Sequence, residues 1–343
     1  MMKVNHIDLN NGLTVDEVVL QAEDSPELIQ TTKASNGAPV IRRRAVSYEQ
    51  AYPNEEGLVR VNGSINPFAV IGRVDGLEQI IVQALDMPYS TPKLFKKFAE
   101  GYLKARLSPT AWNGQGIGLA DYEFGEKGGL TLAARKTGYF DFMWSNLAMD
   151  IHLRQFDPAF GEEETLRDYE TQNGKIKHPR DSVMANRVGI AYMVLLNNGR
   201  ELLLVKKGKG LAIAGGTLCL PGSTPEWDED TANAIRNDVA KELSDELTLS
   251  QPEYDTGKAW FVRDLANGQP AFFVTVNVNP KRNFEDIAEA CLASPEARKE
   301  HTRLYKVPLA GMQRTVEAIN ALSSLRQYNV HHSTPAAVSF LIT

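Results

Sequence analysis

The chain has few cysteines and no long apolar run, and each absence excludes a class of protein. Two cysteines among 343 residues, Cys219 and Cys291, are too few for a disulfide scaffold and fit a reducing compartment. No stretch approaches the roughly 20 apolar residues that span a bilayer. Residues 1–12 lack the apolar core of a signal peptide. We therefore expect a cytoplasmic protein that does not enter a membrane.

Basic residues are also not in excess. Lysine and arginine number 37 against 43 aspartates and glutamates, which gives a formal net charge of −6. A protein that coats nucleic acid or an anionic membrane surface usually carries a basic excess, so neither is an expected partner. A local basic pocket for phosphate groups remains compatible with this composition, and assembly as a homodimer is left open.

The first half of the chain alternates short β-branched segments with helical patterns. The segments 39–48, 57–65, 69–74 and 128–142 have the composition of strands. Apolar residues at helical spacing predict helices in a second set of segments, namely 76–85, 91–107 and 143–153.

The second half is more regular. An apolar strand over 187–196 and a second strand over 201–208, separated by the turn Asn197–Arg200, predict a hairpin. Further strands are predicted over 215–223, 257–265, 269–278 and 302–309. Helices are predicted over 229–247, 284–293 and 312–327. This order predicts a mixed sheet with helices packed on it, an α/β or α+β layer structure.

The length suggests two domains or one large domain with an extension. Residues 157–183 are polar, acidic first and basic later, with few large apolar side chains. This composition is typical of a linker. We therefore predict an N-terminal α/β accessory domain over 1–155, a linker over 156–184 and a second domain over 185–343.

Three acids lie close together near the end of the helix predicted over 229–247. Ile235, Val239, Leu243 and Leu247 form an apolar stripe at about 100° per residue, and Glu242 and Glu246 border that stripe. Asp245 lies further round, towards solvent. Crowded acids are costly without a cation, and such oxygen clusters suit Mg²⁺ or Mn²⁺. An ordinary solvated helix face is the alternative.

The surrounding sequence resembles the Nudix box, the loop–helix–loop motif of the Nudix hydrolases. The stretch 220–249 has the family's entry turn at Leu220, Pro221 and Gly222. The family's Arg-Glu-hydrophobic-x-Glu-Glu run is matched in register by Lys241, Glu242, Leu243, Ser244, Asp245 and Glu246. The resemblance covers residues 185–343, and it implies a mixed β-sheet sandwiched by helices.

This box departs from the family pattern at several positions. Ser223 replaces the second glycine of the entry, and Thr248 replaces the closing glycine. The spacing from Ser223 to Lys241 is longer than the pattern by about one helical turn. The early glutamate of the box is either Glu229, with an insertion after it, or absent, since strict spacing places Asn233 there.

The resemblance also implies a chemistry. Nudix hydrolases typically cleave the pyrophosphate of a nucleoside diphosphate linked to another group, with Mg²⁺ or Mn²⁺. By position, Glu242, Asp245, Glu246 and Glu229 would hold the metal, Lys241 would orient a glutamate, and Gly222 would let the backbone approach the substrate. The substrate would be a nucleotide-type small molecule. A Nudix-fold module that binds or senses a nucleotide without cleaving it is the alternative.

Three further residues outside the box are weaker candidates for substrate binding. Lys206 and Lys207, on the predicted hairpin, are placed to meet a phosphate, although a solvated strand end would explain them too. Arg135 lies close to Tyr139, and basic groups next to aromatic rings suit a nucleotide. Ordinary strand alternation explains Arg135 equally well.

Overall fold

The computed structural model describes residues 2–9, 11–21, 41–107, 111–208, 215–228 and 230–342. In chain order, the strands of these residues are β1 (Val4–Asp8), β2 (Thr14–Val19), β3 (Leu58–Val61), β4 (Ser64–Val74), β5 (Ile80–Ala84), β6 (Gln115–Phe124), β7 (Leu130–Gly138), β8 (Thr171–Gln172), β9 (Lys175–Ile176), β10 (Gly189–Leu196), β11 (Glu201–Lys207), β12 (Thr217–Cys219), β13 (Gly222–Ser223), β14 (Tyr254–Asp264), β15 (Pro270–Val278), β16 (His301–Pro308) and β17 (Asn329–Val330).

The α-helices of the same residues are α1 (Tyr48–Ala51), α2 (Lys96–Arg106), α3 (Tyr139–Trp144), α4 (Leu166–Glu170), α5 (Ala234–Leu247), α6 (Phe284–Ala293), α7 (Pro295–Glu300), α8 (Met312–Arg326) and α9 (Ser333–Ile342). None of the helices in the described ranges has the length and apolar character needed to cross a lipid bilayer.

A large mixed sheet forms the centre of the molecule. Its strand order is β1-β2-β16-β11-β10-β15-β14-β4-β3, with β12, β13 and β17 attached beside β10 and β11. The strands β10 and β15 run parallel, while the predicted hairpin of β10 and β11 is antiparallel and is confirmed. A smaller sheet has the order β5-β7-β6.

Helices cover both faces of the large sheet. One buried apolar cluster includes Ile235 and Leu243 of α5 and Ile287 of α6. A separate cluster on other strand residues includes Ile319 of α8 and Val338 of α9. The predicted α+β layer structure, with a mixed sheet between helices, is therefore confirmed.

Two helices predicted in the first half are wrong. Residues 80–84 form β5 after a short 3₁₀ turn at Leu77–Gln79, and Ile80 and Val82 are buried while Ile81 is half exposed. This alternation has a period of two residues, which is the pattern of a strand rather than a helix.

The helix predicted over 143–153 is also wrong, because α3 ends at Trp144. The next two side chains bind the main chain of a distant segment instead. Ser145 Oγ accepts a hydrogen bond from the amide of Ala185, and Asn146 Oδ1 accepts one from the amide of Asn186. Such side-chain bonds to the backbone compete with helix formation.

The segment 156–184 packs against its neighbours although its composition is polar. Leu166 and Arg167 are buried, and the carboxylate of Glu170 accepts hydrogen bonds from Ser182 and the amide of Val183. Strands from both sides of this segment pair in one sheet. A division into domains at 156–184 stays a prediction, which limited proteolysis would test.

Candidate functional site

The box helix α5 packs on the large sheet as its apolar spacing predicts. Ile235, Val239, Leu243 and Leu247 are each at most 2% exposed, so the predicted stripe is confirmed. The helix begins at Ala234, after a 3₁₀ turn at Thr231–Asn233. The helix ends at Leu247, and the capping residue Thr248 has a φ of 55°, the left-handed conformation that glycine usually takes at this position.

The three acids of the box lie in different environments. Glu246 is buried, the Glu242 side chain is 20% exposed, and Asp245 is exposed to solvent. The two glutamates are one helical turn apart. Burial and then the nearby charge of Glu246 raise the pKa of Glu242. The site therefore depends on two inward glutamates rather than on all three acids.

Glu246 is held between two nitrogen-bearing side chains from other strands. Lys207 Nζ, at the end of β11, lies 3.6 Å from Oε1, and His301 Nε2, at the start of β16, lies 3.2 Å from Oε2. The contact between His301 and Glu246 is at ion-pair distance, but it does not have the geometry of a hydrogen bond. Burial alone would raise the pKa of Glu246, but His301 and the charge of Lys207 outweigh burial and lower it.

Lys241 lies on the outer side of the same helix. Its Nζ is 3.3 Å from Glu242 Oε1 and 3.8 Å from Glu226 Oε2, so it contacts one box glutamate. This single ammonium is about half exposed. It therefore supports Glu242 weakly, because exposed ion pairs contribute little.

A fourth acid, Asp238, lies one turn before Lys241 and was missed by sequence reasoning. It is 5% exposed and accepts hydrogen bonds from the hydroxyls of Ser223 and Tyr192. Burial, supported by the charge of Glu242, raises the pKa of Asp238 to about 7, although the two hydroxyls oppose the shift. The substitution of the box glycine by Ser223 thus supplies a partner for this buried acid.

Gly222 lets the entry turn approach the sheet closely. A Cβ atom at this position would lie 2.5 Å from the carbonyl oxygen of Ile190, and β13 pairs with β10 at this point. Only glycine avoids that clash. The carbonyl oxygen of Gly222 accepts a hydrogen bond of 3.2 Å from Lys207 Nζ.

A cavity of about 310 Å³ opens beside this turn. Its walls are mostly apolar, and they include Phe68, Ile190 and Phe273. Its polar lining residues are Tyr139, Lys207, Ser223, Thr224, Asp264, Gln269, Glu300, His331 and Ser333. Lys207 is thus both a wall of the cavity and the partner of Glu246.

A degenerate box on a helix that packs on a mixed sheet beside this cavity is the arrangement that the sequence resemblance predicts. The fold is Nudix-like.

No protein-family model and no curated protein matches the chain. A solved MutT Nudix hydrolase from Burkholderia pseudomallei is similar, with 18% identity, a TM-score of 0.25, and coverage of 40% of this chain and 97% of that one.

Two further solved structures are similar. A MutT protein from Methanosarcina mazei Go1 has 14% identity and a TM-score of 0.19, and the match covers 27% of this chain and 62% of that chain. A mutT/nudix family protein from Listeria innocua has 15% identity and a TM-score of 0.21, and the match covers 41% of this chain and 94% of that chain. At these identities and TM-scores, we build the functional proposal on the geometry of the site alone.

The residues predicted for substrate binding do not all meet at the Nudix-like cavity. Lys207 and Gly222 line it. The ammonium of Lys206 lies 4.5 Å from the centre of the Tyr328 ring, as expected from strand alternation, which turns it away from Lys207. Arg135 Nη2 donates a hydrogen bond to the carbonyl oxygen of Met184, 3.1 Å away. Glu300 lines the cavity and had no signal in the box pattern.

The predicted metal ligands that the structure describes are Glu242, Asp245 and Glu246, and their side chains point in different directions. In the part of the chain that the structure describes, no three histidine, cysteine, aspartate or glutamate side chains are grouped to hold an ion. Asp245 faces solvent, and both carboxylate oxygens of Glu246 face nitrogen atoms. Glu229 lies outside the described residues.

Replacing Ser223 with alanine should destabilise the protein by about 1–3 kcal/mol, because the buried carboxyl of Asp238 loses one of its two hydroxyl partners. Chemical denaturation at pH 7 would measure the change. As a control, alanine at Ser244, an exposed residue of α5, the helix that carries Asp238, should change stability by less than about 0.5 kcal/mol. Equal effects of the two variants would contradict a role for Ser223 as partner of Asp238.

Proposed function

We propose that this chain is a Nudix-fold binding protein that holds a nucleotide-derived small molecule in the cavity beside α5 without cleaving it. The observation that carries the proposal is the position of Lys207. Its ammonium lines the cavity and at the same time contacts Glu246 and the carbonyl oxygen of Gly222. The box acid on which hydrolysis would depend is thereby already neutralised.

The cavity suits a ligand with a flat ring and an anionic group. Phe68 and Phe273 supply aromatic walls, and an aromatic ring packs favourably on such surfaces. An ammonium carries three donors, so Lys207 retains one for an anionic oxygen after it has bound Gly222 and Glu246. A volume near 310 Å³ lies at the small end of the range for ligand pockets. A nucleoside or a compact nucleotide fits this range better than an extended dinucleotide.

Asp264, His331 and Ser333 line the cavity away from the box, and His332 lies behind them against Asp264. His332 Nε2 lies 2.9 Å from Asp264 Oδ2, and His331 Nδ1 lies 2.8 Å from Ser333 Oγ. Burial lowers the pKa of His331 to about 4, so this imidazole is neutral at pH 7. Neutral imidazole and hydroxyl groups can both donate and accept hydrogen bonds, which suits the edge of a heterocyclic base.

A bulky side chain in the cavity should weaken ligand binding. We expect a panel of nucleosides, nucleotides and nucleotide sugars to include a compound that raises the melting temperature of the wild type. Ala271→Phe places a ring in the cavity wall. It should lower the affinity for that compound at least about tenfold, as measured by calorimetry. Ala105→Phe, on the exposed face of α2, is the matched control and should bind normally. Equal binding by both variants would place the ligand elsewhere.

Metal-dependent hydrolysis is the second candidate, and one observation favours it. Glu246 and Glu300 both lie close enough to Lys207 to act on its charge, and Glu242 lies one helical turn from Glu246. The same panel with Mg²⁺ or Mn²⁺, assayed for phosphate or nucleotide release, separates the two functions. Turnover that is lost in a folded Glu242→Gln variant would replace the binding proposal with hydrolysis.

A further inference from the structure

Lys207 occupies a place between two oxygen atoms of the box. Its Nζ lies 3.2 Å from the carbonyl oxygen of Gly222 and 3.6 Å from Glu246 Oε1. The side chain is 11% exposed, so the charge is largely withdrawn from water. Lys207 therefore places a positive charge directly beside the Glu246 carboxylate.

His301 approaches the other oxygen of the same carboxylate. It is fully buried, and its Nε2 lies 3.2 Å from Glu246 Oε2. Each oxygen of Glu246 thus faces a nitrogen from a different strand, Lys207 on β11 and His301 on β16. Lys207 pairs with His301 where these two strands meet, directly after an irregularity in the register between Lys206 and Lys207. The sheet itself therefore sets the positions of both nitrogens relative to α5.

A divalent cation would need the same atoms. Mg²⁺ is held by carboxylate and carbonyl oxygens at roughly 2.0–2.1 Å. An ion that close to Glu246 and Gly222 would overlap the ammonium of Lys207, and the two positive charges would repel. Because a buried carboxylate requires a compensating charge, either the lysine or a metal can fill this role, but not both.

We propose that Lys207 replaces the divalent cation of the box as a built-in positive charge, while His301 occupies the side of the second Glu246 oxygen. The box then keeps its fold and its electrostatic balance without metal. Ligand binding in the cavity is accordingly independent of Mg²⁺ and Mn²⁺. This last consequence rests on the proposed binding function, whereas the exclusion of metal from Glu246 does not.

The test is titration with Mn²⁺, followed by the loss of the free-ion electron paramagnetic resonance signal. The wild type should have no Mn²⁺ site that depends on Glu246. The wild type and Glu246→Gln should therefore bind Mn²⁺ equally. Lys207→Gln, which keeps hydrogen-bond donors for Gly222 and Glu246, should gain a Mn²⁺ site at least about tenfold tighter than any in the wild type. Lys207→Gln combined with Glu246→Gln should lose it again. Lys206→Gln, on the opposite face of the strand, is the matched control and should resemble the wild type.

Two results would overturn the proposal. One is a wild-type Mn²⁺ site that disappears in Glu246→Gln. The other is a folded Lys207→Gln variant that gains no site. If Lys207→Gln does not fold, Lys207→Met is titrated with Mn²⁺ at low temperature in its place and should gain the same site. The comparison of the wild type with Glu246→Gln needs no Lys207 variant and tests the proposal independently. A panel in which no nucleotide binds would refute the proposed function and would leave these Mn²⁺ results unchanged.

Discussion

Replacing Arg167 with methionine should lower the free energy of unfolding by about 3–5 kcal/mol, the usual cost of removing one partner from a buried ion pair. Arg167 is 2% exposed, and its guanidinium binds both oxygens of Asp150, at 2.6 and 2.8 Å. It also donates to the carbonyl oxygens of Leu265 and Ala266 and to the hydroxyl of Tyr52. The substitution would leave all of these acceptors without their donor.

Urea denaturation would measure this loss. The matched control is Arg44→Met, because Arg44 forms a comparable ion pair with Asp168 at 2.8 Å, but its side chain is 30% exposed. That variant should lose less than about 1 kcal/mol. If the two variants are equally destabilised, the burial of Arg167 is not the cause of its effect.

Replacing Asp238 with asparagine should remove a pH-dependent loss of stability. The pKa of Asp238 is raised to about 7 in the folded state, from 3.8, so the folded protein binds this proton more tightly than the unfolded chain does. Its contribution to stability is therefore fully present below pH 4 and is lost as the pH rises to about 7. Since each unit of pKa shift corresponds to about 1.4 kcal/mol, the loss amounts to at most about 4 kcal/mol.

The measurement is the difference in unfolding free energy between Asp238→Asn and the wild type, at intervals from pH 4 to pH 8. The difference should grow in favour of the variant as the pH rises. Ser244→Ala, an exposed and uncharged position on the same helix, should give a nearly constant difference over this range. A constant difference for Asp238→Asn as well would show that the buried acid does not titrate as described.

The second half of the chain was predicted well from the sequence because its elements have strong periodic patterns. The helix predicted over 284–293 coincides with α6, where Asn283 caps the first turn and accepts a hydrogen bond from the amide of Asp286. The strands β10, β11, β15 and β16 agree with prediction within two residues. Local hydrophobic spacing, turn residues and caps were sufficient here, since each element is amphipathic or bounded by turns.

The first half was predicted less well, because tertiary contacts decide several of its elements. The segment 80–84 has apolar residues at both helical and strand spacing, and pairing with β7 selects the strand. The strands β1 and β2 were too weakly patterned to be predicted from the sequence. The apolar helix α9 was missed for a different reason. Three of its central residues, Ala336, Ala337 and Val338, are all buried, so it lacks a polar face to reveal the period.

Only the part of the candidate site that lies within one stretch of sequence could be predicted. The spacing along α5 correctly placed the apolar stripe, and the resemblance to the Nudix box drew attention to Glu242 and Glu246. The pairing of Glu246 with Lys207 and His301 could not be inferred, because these residues are distant in sequence and the sheet register brings them together. The role of Asp238 could not be predicted from the sequence either. Its pKa is raised by burial and by the charge of Glu242, and both depend on the folded structure.

The position of the N-terminal strands has a consequence for the exposed edges of the large sheet. The strand β2 lies along β16, and β4 lies along β14, so the N-terminal segments cover the central Nudix-like strands from both sides. Without them, β16 and β14 would each present a row of unpaired amides and carbonyls, which is a template for self-association. The N-terminal strands thus protect both edges of the central strands. A fragment without these strands should aggregate even if its core folds.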